Sequence, residues 1–119
     1  MTESRLDSLT EALRSFADER DWPQFHSPRN LAFALASEVG ELCGELRWLT
    51  DQEVEDGLAS TLKQRLSSEA ADVFTFLIYF AESIGVDLVE ASMAKLEANK
   101  SRYPTSKAYG NARKYTDLK

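Results

Sequence analysis

The sequence predicts an all-α protein, and three observations carry that expectation. Apolar residues recur at spacings of three and four through most of the chain. Helix-starting and helix-stopping residues fall at the ends of those stretches. No alternating apolar–polar run is long enough to form a strand that matters, and there is no internal repeat. The expected architecture is a four-helix-bundle type, with residues 1–104 as a single domain and 105–119 as an extended basic C-terminal tail. A chain of 119 residues is long enough for one real core.

The first helix is expected from about Glu3 to Arg20, with Leu6, Leu9, Leu13 and Phe16 on its core side. Asp21-Trp22-Pro23 stops it, because a residue before proline avoids the α region. The connection from Trp22 to His26 is short and rich in aromatic residues. Ser27 as N-cap and Pro28 at the first helical position open the second helix, which reaches about Leu49. Thr50-Asp51-Gln52-Glu53 is a capping box that starts a short third helix, bent at Gly57. A long pattern from about Leu58 to Ile84 follows, with Leu62, Leu66, Val73, Leu77 and Phe80 on its apolar side and Gly85 as C-cap. Asp87-Leu88-Val89-Glu90 opens the last helix, which reaches about Arg102 before Tyr103-Pro104. Beyond Thr105 there is no periodicity.

Hydrophobic content of 43% and charged content of 29% are those of an ordinary soluble domain. The single cysteine, Cys43, cannot pair within the chain, so nothing asks for an oxidising compartment. The polar start MTESRLD lacks a signal-peptide pattern. The longest apolar run, Val73 to Ala81, is too short to span a bilayer and contains Thr75 and Tyr79. The expectation is a cytoplasmic protein without a membrane partner. Net charge is −6, unevenly spread: from Lys100 onward, Lys100, Arg102, Lys107, Arg113, Lys114 and Lys119 face only Asp117. An acidic body with a basic tail argues against a nucleic-acid partner. It suits a small polyanion, met by metal on the acids and by the tail; the plain alternative is a solvated, frayed terminus.

The acids carry the chemistry. On a helical wheel Leu31, Leu35, Leu42, Leu46 and Leu49 form one stripe, and Glu38, Glu41 and Glu45 lie beside it, with Glu38 almost inside it. Ala32, Ala36, Gly40, Cys43 and Gly44 make a small-residue face that another helix can approach closely. An isolated carboxylate in a core position is costly unless it is paired or metal-bound. Glu38 and Glu41 are three apart, and Glu69 and Asp72 repeat that spacing on the long helix. Antiparallel packing of the two helices would bring four carboxylates together, and their repulsion favours a bound cation. All-oxygen ligation selects Mg²⁺ or Mn²⁺. A di-iron site would need Glu-x-x-His on two helices, and the only histidine, His26, lies in a loop. Surface Glu-x-x-Glu pairs are common without a metal, but two pairs flanked by core residues are not. Glu45 is a further ligand, a water holder or an ion-pair partner.

On the last helix, Lys95, Asn99 and Arg102 form a stripe suited to phosphate, or else an ordinary polar face. Trp22, Phe25, His26 and Trp48 read either as lids on the core or as a stacking slot for a nucleobase. There is no P-loop, no glycine-rich fingerprint and no nucleophile elbow. A nucleotide would therefore be held by metal and aromatics.

Three segments, RDWPQFHSPRNLAFALASEVGELCGELRW, EAADV and GVDLVEASMAKLEANKSRYP, resemble the all-α nucleoside triphosphate pyrophosphatases of the MazG type in their dCTP-pyrophosphatase-like branch. The resemblance implies a MazG-like fold and hydrolysis of a (deoxy)nucleoside triphosphate between the α- and β-phosphates, a house-cleaning of the nucleotide pool. It also implies Mg²⁺ dependence and a homo-oligomer, commonly a tetramer, with a dimer as the alternative. By position, Glu38, Glu41, Glu69 and Asp72 would hold the magnesium; Trp22, His26 and Trp48 would line the base and sugar pocket, with Arg29 and Asn30 nearby. Lys95, Asn99, Lys100 and Tyr103 would meet sugar or phosphates, with the tail closing over them. Phe76 stands where relatives often carry a tyrosine, which bears on selectivity among bases. The implied mechanism is in-line attack by water, with a glutamate taking its proton and Lys95 and the basic residues of the tail stabilising the leaving pyrophosphate. Two rival expectations stand beside it: a non-catalytic helical interaction module, whose acids meet lysines across a dimer interface, and an enzyme acting on a damaged or non-standard nucleotide.

Overall fold

The computed structural model describes residues 4–119. The elements are α1 (Arg5–Asp18), a 3-10 turn (Pro23–Phe25), α2 (Pro28–Leu46), α3 (Asp51–Gly57), α4 (Thr61–Ser83), α5 (Leu88–Arg102), α6 (Thr105–Ala108) and a second 3-10 turn (Tyr115–Asp117). There is no strand among the described residues, so the all-α expectation holds. The chain forms two compact units, Met1–Gly85 and Val86–Lys119.

In the first unit, local sequence sets the helix limits. The Ser4 side chain caps α1 by accepting from the Asp7 backbone N–H at 3.0 Å; the expected start at Glu3 lies outside the described residues. The stop after α1 is not the one expected. Trp22 keeps α-region angles (φ −84°, ψ −18°) although proline follows it. The break comes from Asp21, whose left-handed φ of 54° turns the chain and lets the Trp22 N–H reach back to the Ala17 carbonyl at 3.0 Å. Ser27 caps α2 through the Asn30 N–H at 3.1 Å. That helix ends at Leu46 rather than Leu49, because Arg47 is extended and Trp48 takes φ 73°. Both halves of the Thr50–Glu53 capping box are formed, at 3.0 and 3.1 Å.

The long pattern expected from Leu58 starts instead at Thr61. Residues 58–60 form a turn in which the Ser60 N–H and hydroxyl both donate to the Gly57 carbonyl at 3.0 Å. Glycine avoids crowding there: a Cβ on Gly57 would stand 2.6 Å from Leu62 Cδ2. At the other end, Gly85 takes φ 69° and closes α4.

α4 is the hub of this unit. It packs most extensively on α2 and also meets α1 and α3. The buried apolar side chains are Ala17, Leu31, Leu62, Ile78 and Ala81. A full-sized side chain such as Leu31 or Ile78 gains about 1.5–3 kcal/mol by leaving water. Two polar ties add to that contact. The Tyr79 hydroxyl donates to the Leu13 carbonyl at 2.7 Å, and Arg14 pairs with Glu82. The direction of α4 relative to α2 follows from their side-chain pairs. Glu45 meets Arg65, whereas Glu38 and Glu41 meet Glu69, so the helices run antiparallel.

In the second unit, Asp87 caps α5 by accepting from the Glu90 N–H at 3.0 Å. Lys100 pairs with Glu97 at 2.9 Å. The tail after Pro104 carries two short turns, α6 and Tyr115–Asp117, too brief for any periodicity to announce them.

Candidate functional site

α2 supplies Glu38 and Glu41 one turn apart, and the antiparallel α4 supplies Glu69. One carboxylate oxygen from each lies within 4.8 Å of the others. Glu38 and Glu69 are half-buried and Glu41 is exposed. Oε2 of Glu38 and Oε2 of Glu69 are sealed from solvent and have no hydrogen-bond partner. Buried carboxylate oxygens are almost always satisfied, so two orphans on facing helices call for a missing partner.

The electrostatics point the same way. Burial is the largest cause raising the Glu38 carboxyl above the usual carboxylate range; the adjacent Glu41 carboxyl adds to it, followed by the charges of Asp72 and Glu69. Glu69 is raised by burial first, then by the adjacent Glu41 carboxyl and by the charges of Asp72 and Glu45. Asp72, exposed and one turn beyond Glu69, stands outside the three-carboxylate cluster, but its charge acts on both half-buried members. Three of the four acids singled out from sequence thus converge, and the fourth contributes field. An all-oxygen, strongly anionic cluster with unsatisfied inward oxygens fits a hard divalent cation. Glu45 takes the last of its three expected roles, an ion pair accepting from Arg65 Nε at 2.9 Å.

The aromatic residues are spread along the first unit. Trp22 lies edge-on to Phe16, with centroids 5.5 Å apart. His26 leans on Tyr79 at 4.7 Å, and Tyr79 in turn meets Phe76 at 6.3 Å. Trp48 is 87% exposed, with Arg47 over its ring at 5.5 Å. Arg29 lies over Phe33, and the Asn30 amide donates to the Phe25 carbonyl at 3.1 Å, holding the turn that precedes α2. In the second unit, Lys95, Asn99, Lys100 and Tyr103 share α5 and its C-cap, with Asn99 half-buried.

Comparison with known proteins decides the family. The MazG-like family model matches residues 34–118, which include all four acids. The chain belongs to the MazG-like family. Human dCTP pyrophosphatase 1 is 41% identical over 117 residues, spanning 98% of this chain and 69% of that protein. The mouse dCTP pyrophosphatase 1 is 42% identical over 118 residues, spanning 98% and 69%. Among solved structures, a pyrophosphatase from Archaeoglobus fulgidus superposes with a TM-score of 0.80 at 30% identity, covering 87% of this chain and 96% of its own.

This MazG-like chain also contains a feature that sequence reasoning missed. A cleft of about 230 Å³ opens between α1 and α4, lined by Arg14, Asp18, His26, Tyr79 and Glu82 among others. Burial raises the Tyr79 hydroxyl pKa above its ordinary value; Arg20 opposes that and Asp18 adds to it. In the sequence Tyr79 reads only as a polar interruption of an apolar run. Nothing local marks Arg14 and Glu82 as partners.

Proposed function

We propose that this chain is a Mg²⁺-dependent nucleoside triphosphate pyrophosphohydrolase acting on dCTP or a related or modified deoxynucleotide. Its class, nucleoside triphosphate pyrophosphatase, rests on family membership and on relatives named as pyrophosphatases that match 87–98% of this chain. The observation that carries the metal reading is the pair of sealed, unpartnered oxygens on Glu38 and Glu69. In this reading Glu38, Glu41, Glu69 and Asp72 hold the cation. When bound, it supplies charge neutralisation at the phosphates and orients the attacking water.

The chain's own residues do the rest. A water attacks the α-phosphorus in line, its proton passes to a carboxylate of the cluster, and the bond to the β-phosphate oxygen breaks to release pyrophosphate. Lys95 and Lys100 are the cations assigned to the leaving group, and Asn99 and Tyr103 to sugar or phosphate. Trp22, His26, Arg29, Asn30, Trp48 and Phe76 are assigned to the base side. Trp48 supports that assignment physically: it sits at φ 73°, uncommon for a bulky residue, and its indole is 87% exposed to water. A flat ring held out in that way suits stacking on a base.

We also infer a homo-oligomer, with a tetramer as the expected state. Phe33 is 63% exposed, and Val89, Met93 and Leu96 line one side of α5 at 47–56% exposure. On α2, a Cβ at Gly40 or Gly44 would meet nothing within 4 Å, so the small-residue face is open. Apolar surface of this kind is normally covered.

Product analysis on a panel of ordinary and modified nucleoside triphosphates tests the reaction. The expected products are monophosphate and pyrophosphate, with cytosine deoxynucleotides ranked first. Release of orthophosphate and diphosphate, or silence across the panel, would overturn the reading. Replacing Glu41 with alanine should lower turnover by roughly a hundredfold or more, the scale of removing one main electrostatic partner of a transition state.

A further inference from the structure

Residues 100–119 carry six cations and one acid. A segment so charged ordinarily stays in solvent as a frayed end. Here it folds back on the end of its own helix. The Tyr115 ring meets Tyr103 edge-on, with centroids 6.0 Å apart and planes at 81°. The Arg102 guanidinium lies 5.0 Å from the centre of the same ring. Asn111 fixes the turn between: its Nδ2 donates to the Lys107 carbonyl at 3.1 Å, and its Oδ1 accepts from the Arg113 N–H at 3.1 Å. Pro104, Ala108 and Leu118 are half-buried in the result.

What holds this segment is rings and backbone turns, not ion pairs. Among the described residues, Lys107, Arg113, Lys114 and Lys119 form no salt bridge, and Lys100 alone of the basic residues from position 100 onward is paired, with Glu97. Ordering a chain that gathers like charges costs entropy and repulsion. An ordered but uncompensated cationic surface is therefore suited to an anion. A long polyanion would also face a chain whose overall charge is −6, whereas a short polyphosphate need touch only the cations.

We propose that Tyr115, seated against Tyr103 and Arg102, clasps residues 105–119 into an ordered cationic strap that binds short polyphosphate through Arg113 and Lys114. The choice of ligand rests on the pyrophosphatase reading. Tyr115 is a positioning residue, and its ring rather than its hydroxyl makes the clasp.

The test is calorimetric titration of inorganic pyrophosphate and tripolyphosphate into the full chain, with chelator present so that a metal at the acids makes no contribution. Wild type should bind, and binding should weaken with salt. Tyr115→Ala and an Arg113→Ala, Lys114→Ala double variant should each weaken binding about tenfold, the scale of a charge-assisted contact. Tyr115→Phe should keep wild-type affinity, which separates loss of the ring from loss of the hydroxyl. Helical circular dichroism of Tyr115→Ala should match wild type, because the clasp lies beyond the last long helix. Affinity unchanged by Tyr115→Ala, no binding by wild type, or tighter binding of single-stranded DNA than of tripolyphosphate would each overturn the strap. If pyrophosphate binding depends on Tyr115 while no triphosphate is hydrolysed, the strap stands and the enzymatic reading fails. If hydrolysis proceeds and Tyr115→Ala changes neither affinity nor KM, the converse holds.

Discussion

Glu38 and Glu69 show what a half-buried acid does when its neighbours are also acids. Both are raised above the ordinary carboxylate range, by burial first and by Glu41 next. In the metal-free protein the folded state therefore binds protons more tightly than the unfolded chain, whose carboxylates titrate near about 4.3. Between that value and the raised ones, these two groups lose stability as pH rises, and above both the loss is complete. Their contribution thus opposes folding at neutral pH unless a positive charge offsets them. Glu69→Gln removes one such group and keeps its shape. In chelator at pH 7 this variant should melt at a higher temperature than wild type, and the gap should close as the pH falls toward the ordinary carboxylate range. A lower melting temperature at pH 7 would mean that Glu69 has a stabilising partner instead. Trp48 and Asp21 illustrate the limit of reading at this scale. Their positive φ values end α2 and α1, yet neither residue type demands that conformation.

At the scale of elements, the caps were the most legible feature. Ser27, Thr50 with Glu53, and Asp87 each make the side-chain bond that their sequence pattern implies. These are bonds between residues three apart, so local chemistry suffices. The Glu38/Glu41 and Glu69/Asp72 spacings were legible for the same reason, since a helix places residues three apart on one face. What joins helices was not legible. Arg14 finds Glu82 across 68 positions, Tyr79 finds Leu13 across 66, and Glu45 finds Arg65 across 20. No periodicity specifies such partners. The α3–α4 break was half legible, because Gly57 was visible as a bend but its contact with Leu62 was not. That contact yields a prediction. Gly57→Ala brings a methyl to 2.6 Å from Leu62 Cδ2, and Leu62 is only 4% exposed. The helix-propensity gain of about 1 kcal/mol should lose to an overpacking cost of about 1–3 kcal/mol. Urea unfolding should show net destabilisation with an unchanged m-value; stabilisation would mean that Leu62 moves aside freely.

For the whole molecule, the order of helices and the acid pairs identified the fold type, and the MazG-like match agrees with it. No helix among the described residues is long and apolar enough to cross a membrane. The exposed apolar side of α5 and the open glycine face of α2 are legible only as patterns until the structure shows them uncovered. Sedimentation at micromolar concentration should therefore give a multiple of the 13.4 kDa chain, with four copies expected. A species at the single-chain mass would show that this surface stays bare.

The central claim is that the acid cluster of α2 and α4 holds a divalent cation. Titration calorimetry with Mg²⁺ on chelator-stripped, dialysed protein addresses it directly. Saturable binding is expected in wild type, with loss of binding in Glu69→Gln. Indifference to Mg²⁺, in wild type and variant alike, would contradict the account and leave a helical interaction module in its place.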